Sequence, residues 1–332
     1  LNVIRCVLLV VTASLACLLS GCLEDPTRDH PLDPMGENFI DEGTITLRVT
    51  NFYAPRSGLS NIAVSILPTG GAGITDEQGT YITTGLPGGE YTVKINQQGY
   101  APVDTLIRVE AGQTTDVEVP LAGLPTFENV RLNSAHISRW FPPPEELFSL
   151  EMQALVSDND GVLDIDSLWL TIPALGFVEH IFVQTEPGSY VHSVSAEQLP
   201  IGLPALIGQE VRIKAKDRSG VVNESGPLTL LRVIDETPSA VEPNNLEEQP
   251  DSLPSFTWAQ INLPFPFTFQ IDIVRSNQNV ETIIQTIPNI PFNQLSIQAL
   301  EPIPSGNYYW VVSVVDEFGN RSRSREAGFR IP

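Results

Sequence analysis

Nucleophilic hydrolysis needs a base beside its nucleophile, and histidine fills that role most often. The 332-residue chain has four histidines: His30, His136, His180 and His192. No Gly-x-Ser-x-Gly elbow accompanies them, and no HxxE pair offers a peptidase metal site. His180 and His192 can face each other across a hairpin with Glu179 nearby, but their spacing is unlike a zinc motif. No two carboxylates stand out as the acid and base of a glycosidase. These residue types supply no catalytic set, and a non-catalytic protein is expected.

Oxygen ligands are better represented. Asp158, Asn159, Asp160, Asp164 and Asp166 crowd a short span, and Ca²⁺ takes six to eight oxygens. Asp158, Asp160 and Asp164 are the candidate ligands. The EF-hand glutamate is missing, because Trp169 stands twelfth if Asp158 is first. Asp158-Asn159-Asp160-Gly161 reads equally well as an Asx turn. Calcium is the one cofactor this sequence suggests. Among the aromatics, Trp140 precedes Phe141-Pro142-Pro143-Pro144 and lies outside any strand pattern. An indole in such a loop can stack on a sugar, so Trp140 is the candidate ligand-binding residue. Phe265 and Phe267, around Pro264 and Pro266, come second. Trp169, Trp258 and Trp310 sit in alternating patterns and are expected in cores.

Composition narrows the partners. The chain has 18 basic and 40 acidic side chains and a net charge of −22. Nucleic acid and anionic headgroups should repel it. Its three cysteines, Cys6, Cys17 and Cys22, all precede residue 23, so the rest holds no disulfide or thiolate metal site. Glycine and proline are plentiful, at 24 and 28 residues. No long helical pattern appears. The expected fold class is all-β, built of tandem β-sandwich domains.

Residues 1–21 join Arg5 to a short apolar stretch that ends in small residues, the pattern of an export signal. The stretch is too short for a good transmembrane helix. Leu19-Ser20-Gly21-Cys22 resembles the lipobox of bacterial lipoproteins. That resemblance implies a diacylglycerol thioether on Cys22, cleavage just before it, and usually acylation of the freed amine. Two or three acyl chains anchor a protein stably at a membrane. Leu23 stands where an aspartate would retain enterobacterial lipoproteins in the inner membrane, which implies the outer membrane. Glu24 and Asp25 resemble the surface-export signal of some Bacteroidetes-like lipoproteins. The periplasmic and cell-surface sides both stay open. Residues 22–43 carry Pro26, Pro31 and Pro34 and read as an extended tether containing His30.

Three modules follow. In 44–122, Ile45, Leu47 and Val49 alternate with polar residues, as do Ile62, Val64 and Ile66, Tyr91, Val93 and Ile95, and Val117, Val119 and Leu121. The run Ile74-Thr75-Asp76-Glu77-Gln78-Gly79-Thr80-Tyr81 leads into Gly85-Leu86-Pro87-Gly88-Gly89-Glu90-Tyr91-Thr92-Val93 and then Gly99-Tyr100. This resembles the carboxypeptidase regulatory-like domain, a transthyretin-like seven-stranded sandwich. The resemblance does not extend to a zinc peptidase. In 124–234, Phe148 to Val156 alternate, and strands are expected around Ile165–Ile172, Val211–Ala215 and Leu228–Val233. This module resembles a bacterial immunoglobulin-like domain. Glu236-Thr237-Pro238 reads as a linker. In 238–332, Phe267, Phe269, Ile271 and Ile273 alternate, followed by Tyr308, Trp310, Val312 and Val314. This module resembles fibronectin type III, which implies that Trp258 lies in its core. Val314-Val315-Asp316 with Gly319 echoes Ala215-Lys216-Asp217 with Gly220, a shared strand-and-turn solution.

The first functional reading is a lipid-anchored envelope protein acting as a stalk or scaffold. The alternative is a surface binding or adhesion module for glycan or protein. A hydrolase with an unrecognised site is the third. The expected partners are the membrane, through the lipid, and an envelope protein or glycan, with no nucleic acid.

Overall fold

The structure is a computed structural model that describes residues 41–181, 184–277 and 280–332. The export signal, Cys22, His30 and nearly all of the tether lie outside the described residues. The chain is all β and divides into two compact units, one ending at Leu121 and one beginning at Ala122.

The first unit has seven strands. These are β1 (Glu42–Asn51), β2 (Ala63–Leu67), β3 (Gly71–Ile74), β4 (Thr80–Pro87), β5 (Gly89–Ile95), β6 (Val103–Val109) and β7 (Thr114–Leu121). They form two sheets, ordered β4-β1-β7 and β3-β2-β5-β6. The alternating apolar residues of β1, β2, β5 and β7 meet between the sheets. β1 takes the last two residues assigned to the tether, because Gly43 packs against Val109 and the Glu110 backbone. The Asp76 turn forms as the sequence suggests: Asp76 Oδ1 accepts from Gln78 N at 2.9 Å and Thr80 N at 2.7 Å. Gly79 supplies the positive φ, +77°. Tyr91 is buried and donates its hydroxyl to Pro87 O at 2.9 Å.

The second unit holds two cores. Around the first lie β8 (Thr126–Ser138), β9 (Glu146–Ser157), β10 (Ile165–Ile172), β11 (Phe177–Ile181) and β12 (Gln184–Glu186). With them are β13 (Ser189–Ser195), β14 (Glu210–Asp217), β15 (Val222–Glu224) and β16 (Leu228–Thr229). Around the second lie β17 (Ala240–Glu242), β18 (Glu247–Glu248), β19 (Ser255–Trp258), β20 (Phe267–Asn277) and β21 (Val280–Pro291). Then come β22 (Ser296–Gln298), β23 (Gly306–Asp316), β24 (Arg321–Arg323) and β25 (Ala327–Ile331).

These two sandwiches are not beads on a linker. One sheet runs through both, in the order β12-β13-β9-β8-β24-β23-β20-β21. The join is a parallel pairing in which Ala135, His136 and Ile137 of β8 face Arg321, Ser322 and Arg323 of β24. The connecting chain lies along this seam, and side chains capture its alternate carbonyls. Ser134 Oγ donates to Arg232 O at 2.9 Å and Ser322 Oγ to Glu236 O at 2.6 Å, while His136 Nδ1 lies 3.3 Å from Ile234 O. The strand expected over 228–233 therefore stops after β16: the carbonyls of Arg232 and Ile234 are taken by β8 side chains.

The internal echo is real. Asp217 Oδ1 accepts from Val221 N at 2.7 Å, and Asp316 Oδ1 from Asn320 N at 2.9 Å. Ser225 Oγ then accepts from Ile213 N, and Ser324 Oγ from Val312 N, so each hairpin is closed the same way. Trp258 and Trp310 are buried in the second core, with Trp310 Nε1 donating to Pro243 O at 2.8 Å. Trp169 departs from expectation. Leu168, Leu170 and Ile172 take the inward face of β10, so Trp169 stands half-buried on the outer one.

Candidate ligand-binding site

Trp140 lies in the connection between β8 and β9, which begins where Arg139 N donates to Glu145 O at 2.8 Å. Arg139 Nε also donates to Pro144 O at 3.0 Å, which closes the turn over the prolines. The indole is 63 % exposed, yet it is held. Trp140 N donates to Glu326 Oε2 and Nε1 to Glu326 O, each at 3.0 Å. The Arg325 guanidinium lies 4.4 Å over its ring, a cation–π contact. Phe141, beside it, is 80 % exposed.

A second layer holds these partners in turn. Arg323 NH2 bonds Glu326 Oε1 at 2.7 Å, and Arg325 NH2 bonds Glu145 Oε2 at 2.7 Å. Arg325 Nε donates to Ser138 Oγ at 3.2 Å, and Ser138 Oγ donates to Glu146 Oε1 at 2.9 Å. His136 Nε2 meets Glu146 Oε2 at 2.9 Å, and the imidazole stacks on Phe148 with centroids 3.9 Å apart. Beside Trp140 opens a cleft of about 470 Å³, walled by Ser138, Glu146, Thr237, Ser239 and Asn244 with Arg325. Serine, histidine and glutamate do meet here, but in the wrong order for hydrolysis. Glu146 separates Ser138 from His136, whereas a relay needs the imidazole on the hydroxyl.

The acidic run gathers elsewhere in the same unit. Asp158 after β9, Asp164 before β10 and Asp217 at the end of β14 bring carboxylate oxygens within 4.8 Å of one another. Asp160 turns away and accepts from Gly123 N at 2.6 Å. Asp217 takes the third place, fully buried and fixed by Ser219 Oγ at 2.8 Å. Spacing along one segment could not show Asp217, although its echo of Asp316 marked it as a turn residue. Asp158 Oδ2 is buried without a hydrogen-bond partner among the described residues. Burial lifts the Asp158 carboxyl to about 6, and the charges of Asp160, Asp164 and Asp217 add to it against the Asp160 N–H. Burial likewise raises Asp160. Such a set can hold a divalent cation such as calcium, with carbonyls or water completing the shell.

A carboxyl whose folded pKa is raised gives its full stability at low pH and loses it as pH climbs through about 6. In EDTA, the thermal midpoint of Asp158→Asn should therefore gain on wild type between pH 4 and pH 7. Calcium at about ten times its Kd should stabilise wild type by about 1.4 kcal/mol, and Asp158→Asn by less. Identical midpoints with and without calcium would remove the cation reading.

His180 and His192 do not converge. Alternation on β11 sends Glu179 inward with Ile181 and His180 outward. His192 Nε2 meets Glu179 Oε1 at 3.3 Å, while the His180 ring lies 6.4 Å from that of Trp169. Phe265 is likewise engaged, since the Arg232 guanidinium lies 4.0 Å over its ring. Phe267 packs edge-on to Phe269 with centroids 5.3 Å apart.

Residues 44–122 match the family model described as carboxypeptidase regulatory-like domain. No curated protein matches the chain. Among solved structures, the major pilin subunit BcpA of Bacillus cereus is 15 % identical, with 84 % of this chain and 91 % of that one covered and a TM-score of 0.30. The FN1-FN3 domains of chicken CNTN1 are 14 % identical over 88 % and 96 %, with a TM-score of 0.31. The fibronectin(III)-like modules of Clostridium thermocellum CbhA are 12 % identical over 63 % and 93 %, with a TM-score of 0.27. These are distant likenesses.

Proposed function

We propose that this protein is a non-catalytic, lipid-anchored binding or adhesion module of the bacterial envelope, and that the Trp140 cleft is where it binds. One observation carries the reading: an indole largely in water is fixed by its Nε1–H bond to Glu326 O and by a guanidinium over its ring, while the Glu326 carboxylate holds the backbone N–H of the same residue. Burying a free surface tryptophan would be the ordinary way to order it. Holding it exposed instead means that little side-chain entropy is lost when a ligand covers it.

The stalk reading is compatible with this one. The sheet continuous from β12 to β21 favours a stiff support for the site rather than two modules that bend. The anchor rests on Leu19-Ser20-Gly21-Cys22, and Cys22→Ala should release the protein from membranes. A variant bound as firmly as wild type would end that part of the proposal.

The binding reading is tested by retention of the purified full chain on isolated envelope material. We expect Trp140→Ala to lose retention and Trp169→Ala, at an outer strand face, to keep it. Equal retention of wild type and Trp140→Ala would place binding elsewhere.

A further inference from the structure

We infer that the Trp140 cleft takes an uncharged, hydroxyl-rich ligand, a short stretch of neutral polysaccharide. The inference rests on the cleft being the binding site and adds the chemistry of what fills it.

Charge is the first argument. Arg325 is the only cation among the described residues that line the cleft. It is already engaged by Glu145, Ser138 and the Trp140 ring. An anionic ligand would find no unpaired cation there, and would meet Glu146 and Glu326 on a chain of net charge −22. A cationic ligand fares little better. Glu326 is paired with Arg323, Glu145 with Arg325, and both oxygens of Glu146 are bonded to His136 and Ser138. A lysine or arginine arriving from water would have to displace Arg323, Arg325 and the bonds that Glu146 already holds.

Hydrogen-bonding capacity is the second. Bonded carboxylates keep lone pairs, each oxygen having two. Thr237 and Ser239 offer hydroxyls, and Asn244 an amide with both donors and acceptors. Walls that both donate and accept suit hydroxyl groups, which also do both. Trp140 supplies the apolar complement. A pyranose ring presents C–H groups on one face and hydroxyls at its edge, so it can stack on the indole and bond the walls. Arg325 covers one face of the indole, so stacking uses the other. Phe141, next in the chain, leaves a second aromatic ring in water beside it. The cleft's size is that of a small-ligand site, enough for a few sugar units of a longer chain.

The test is calorimetric titration of the full chain with neutral hexasaccharides of several linkages, with uronate-containing and sulfated oligosaccharides, and with a basic peptide. Each is run at about 50 mM and about 500 mM salt, where the Debye length shortens severalfold. We expect a neutral hexasaccharide to bind with an affinity that changes less than about twofold between the two salts. We expect Trp140→Ala to weaken it about tenfold or more, while the thermal midpoint falls only by what the lost Nε1–H bond and cation–π contact account for and unfolding stays cooperative. Binding of an acidic sugar or basic peptide, salt-sensitive and lost in Trp140→Ala, would overturn this inference and leave the binding reading standing. So would no binding to any neutral sugar while Trp140-dependent retention on envelope material persists. Neutral-sugar binding indifferent to Trp140→Ala would overturn both.

Discussion

Asp316→Ala is expected to destabilise the second unit by about 3–5 kcal/mol, the cost of breaking a buried ion pair from one side. The Asp316 side chain is fully buried against Arg232, at 2.8 Å. It also accepts from Phe318 N, Asn320 N and Asn320 Nδ2 at 2.9, 2.9 and 3.0 Å. Asn320 then receives Ser134 N of β8 through Oδ1 at 2.8 Å, which ties the turn to the seam. Alanine would leave a guanidinium between Phe265 and Phe318 with Glu317 as its one remaining counter-ion among the described residues. For a unit of this size each kcal/mol moves the thermal midpoint about 2–4 °C, so the drop should be about 10 °C. Calorimetry checks it, and a loss under about 1 kcal/mol would mean that this network does not hold the seam.

Gly58→Ala is expected to cost the first unit about 3 kcal/mol or more, by overpacking backbone against backbone. A Cβ at Gly58 would lie 1.9 Å from Gln78 O and 2.9 Å from Gly79 N. Neither side can retreat easily. The Asp76 carboxylate pins the turn, and Leu59 N donates to Val49 O at 2.9 Å. Gly88→Ala is the control, since its nearest contact would be an ordinary 3.7 Å. Chemical denaturation should separate the two variants clearly; similar midpoints would contradict this packing.

These two sites show what a sequence carries and what it hides. The Asp76-x-x-Gly79 turn was legible because its chemistry is local: a carboxylate beside the N–H groups it accepts, and a glycine where φ is positive. Gly58, which packs on that turn, was not, because nothing near it in the chain names its neighbour. The same division runs through the second unit. Period-two alternation revealed β9, β10, β14, β20 and β23, whose apolar faces enter cores. β8 escaped because its inward residues at the seam are Ser134, His136 and Ser138, chosen to bond carbonyls and a carboxylate rather than to fill a core. Trp169 is ambiguous in the sequence for a related reason, since a bulky aromatic on the outer face looks like one on the inner face until the register is known. Asp158 and Asp164 could be read as oxygen ligands, but Asp217 joins them only through the pairing of β10 with β14. Trp140 was legible as an aromatic outside a strand. Its clamp was not, since Arg325 and Glu326 come from the far end of the chain.

A ligand that fills the cleft must cover Trp140. The chain has four tryptophans, and an ¹⁵N spectrum separates their indole N–H signals, with Trp140→Ala identifying one by its loss. Titration with envelope polysaccharide should shift the Trp140 signal and leave those of buried Trp258 and Trp310 in place. A ligand that binds while the Trp140 signal stays still would show that the cleft is not the site.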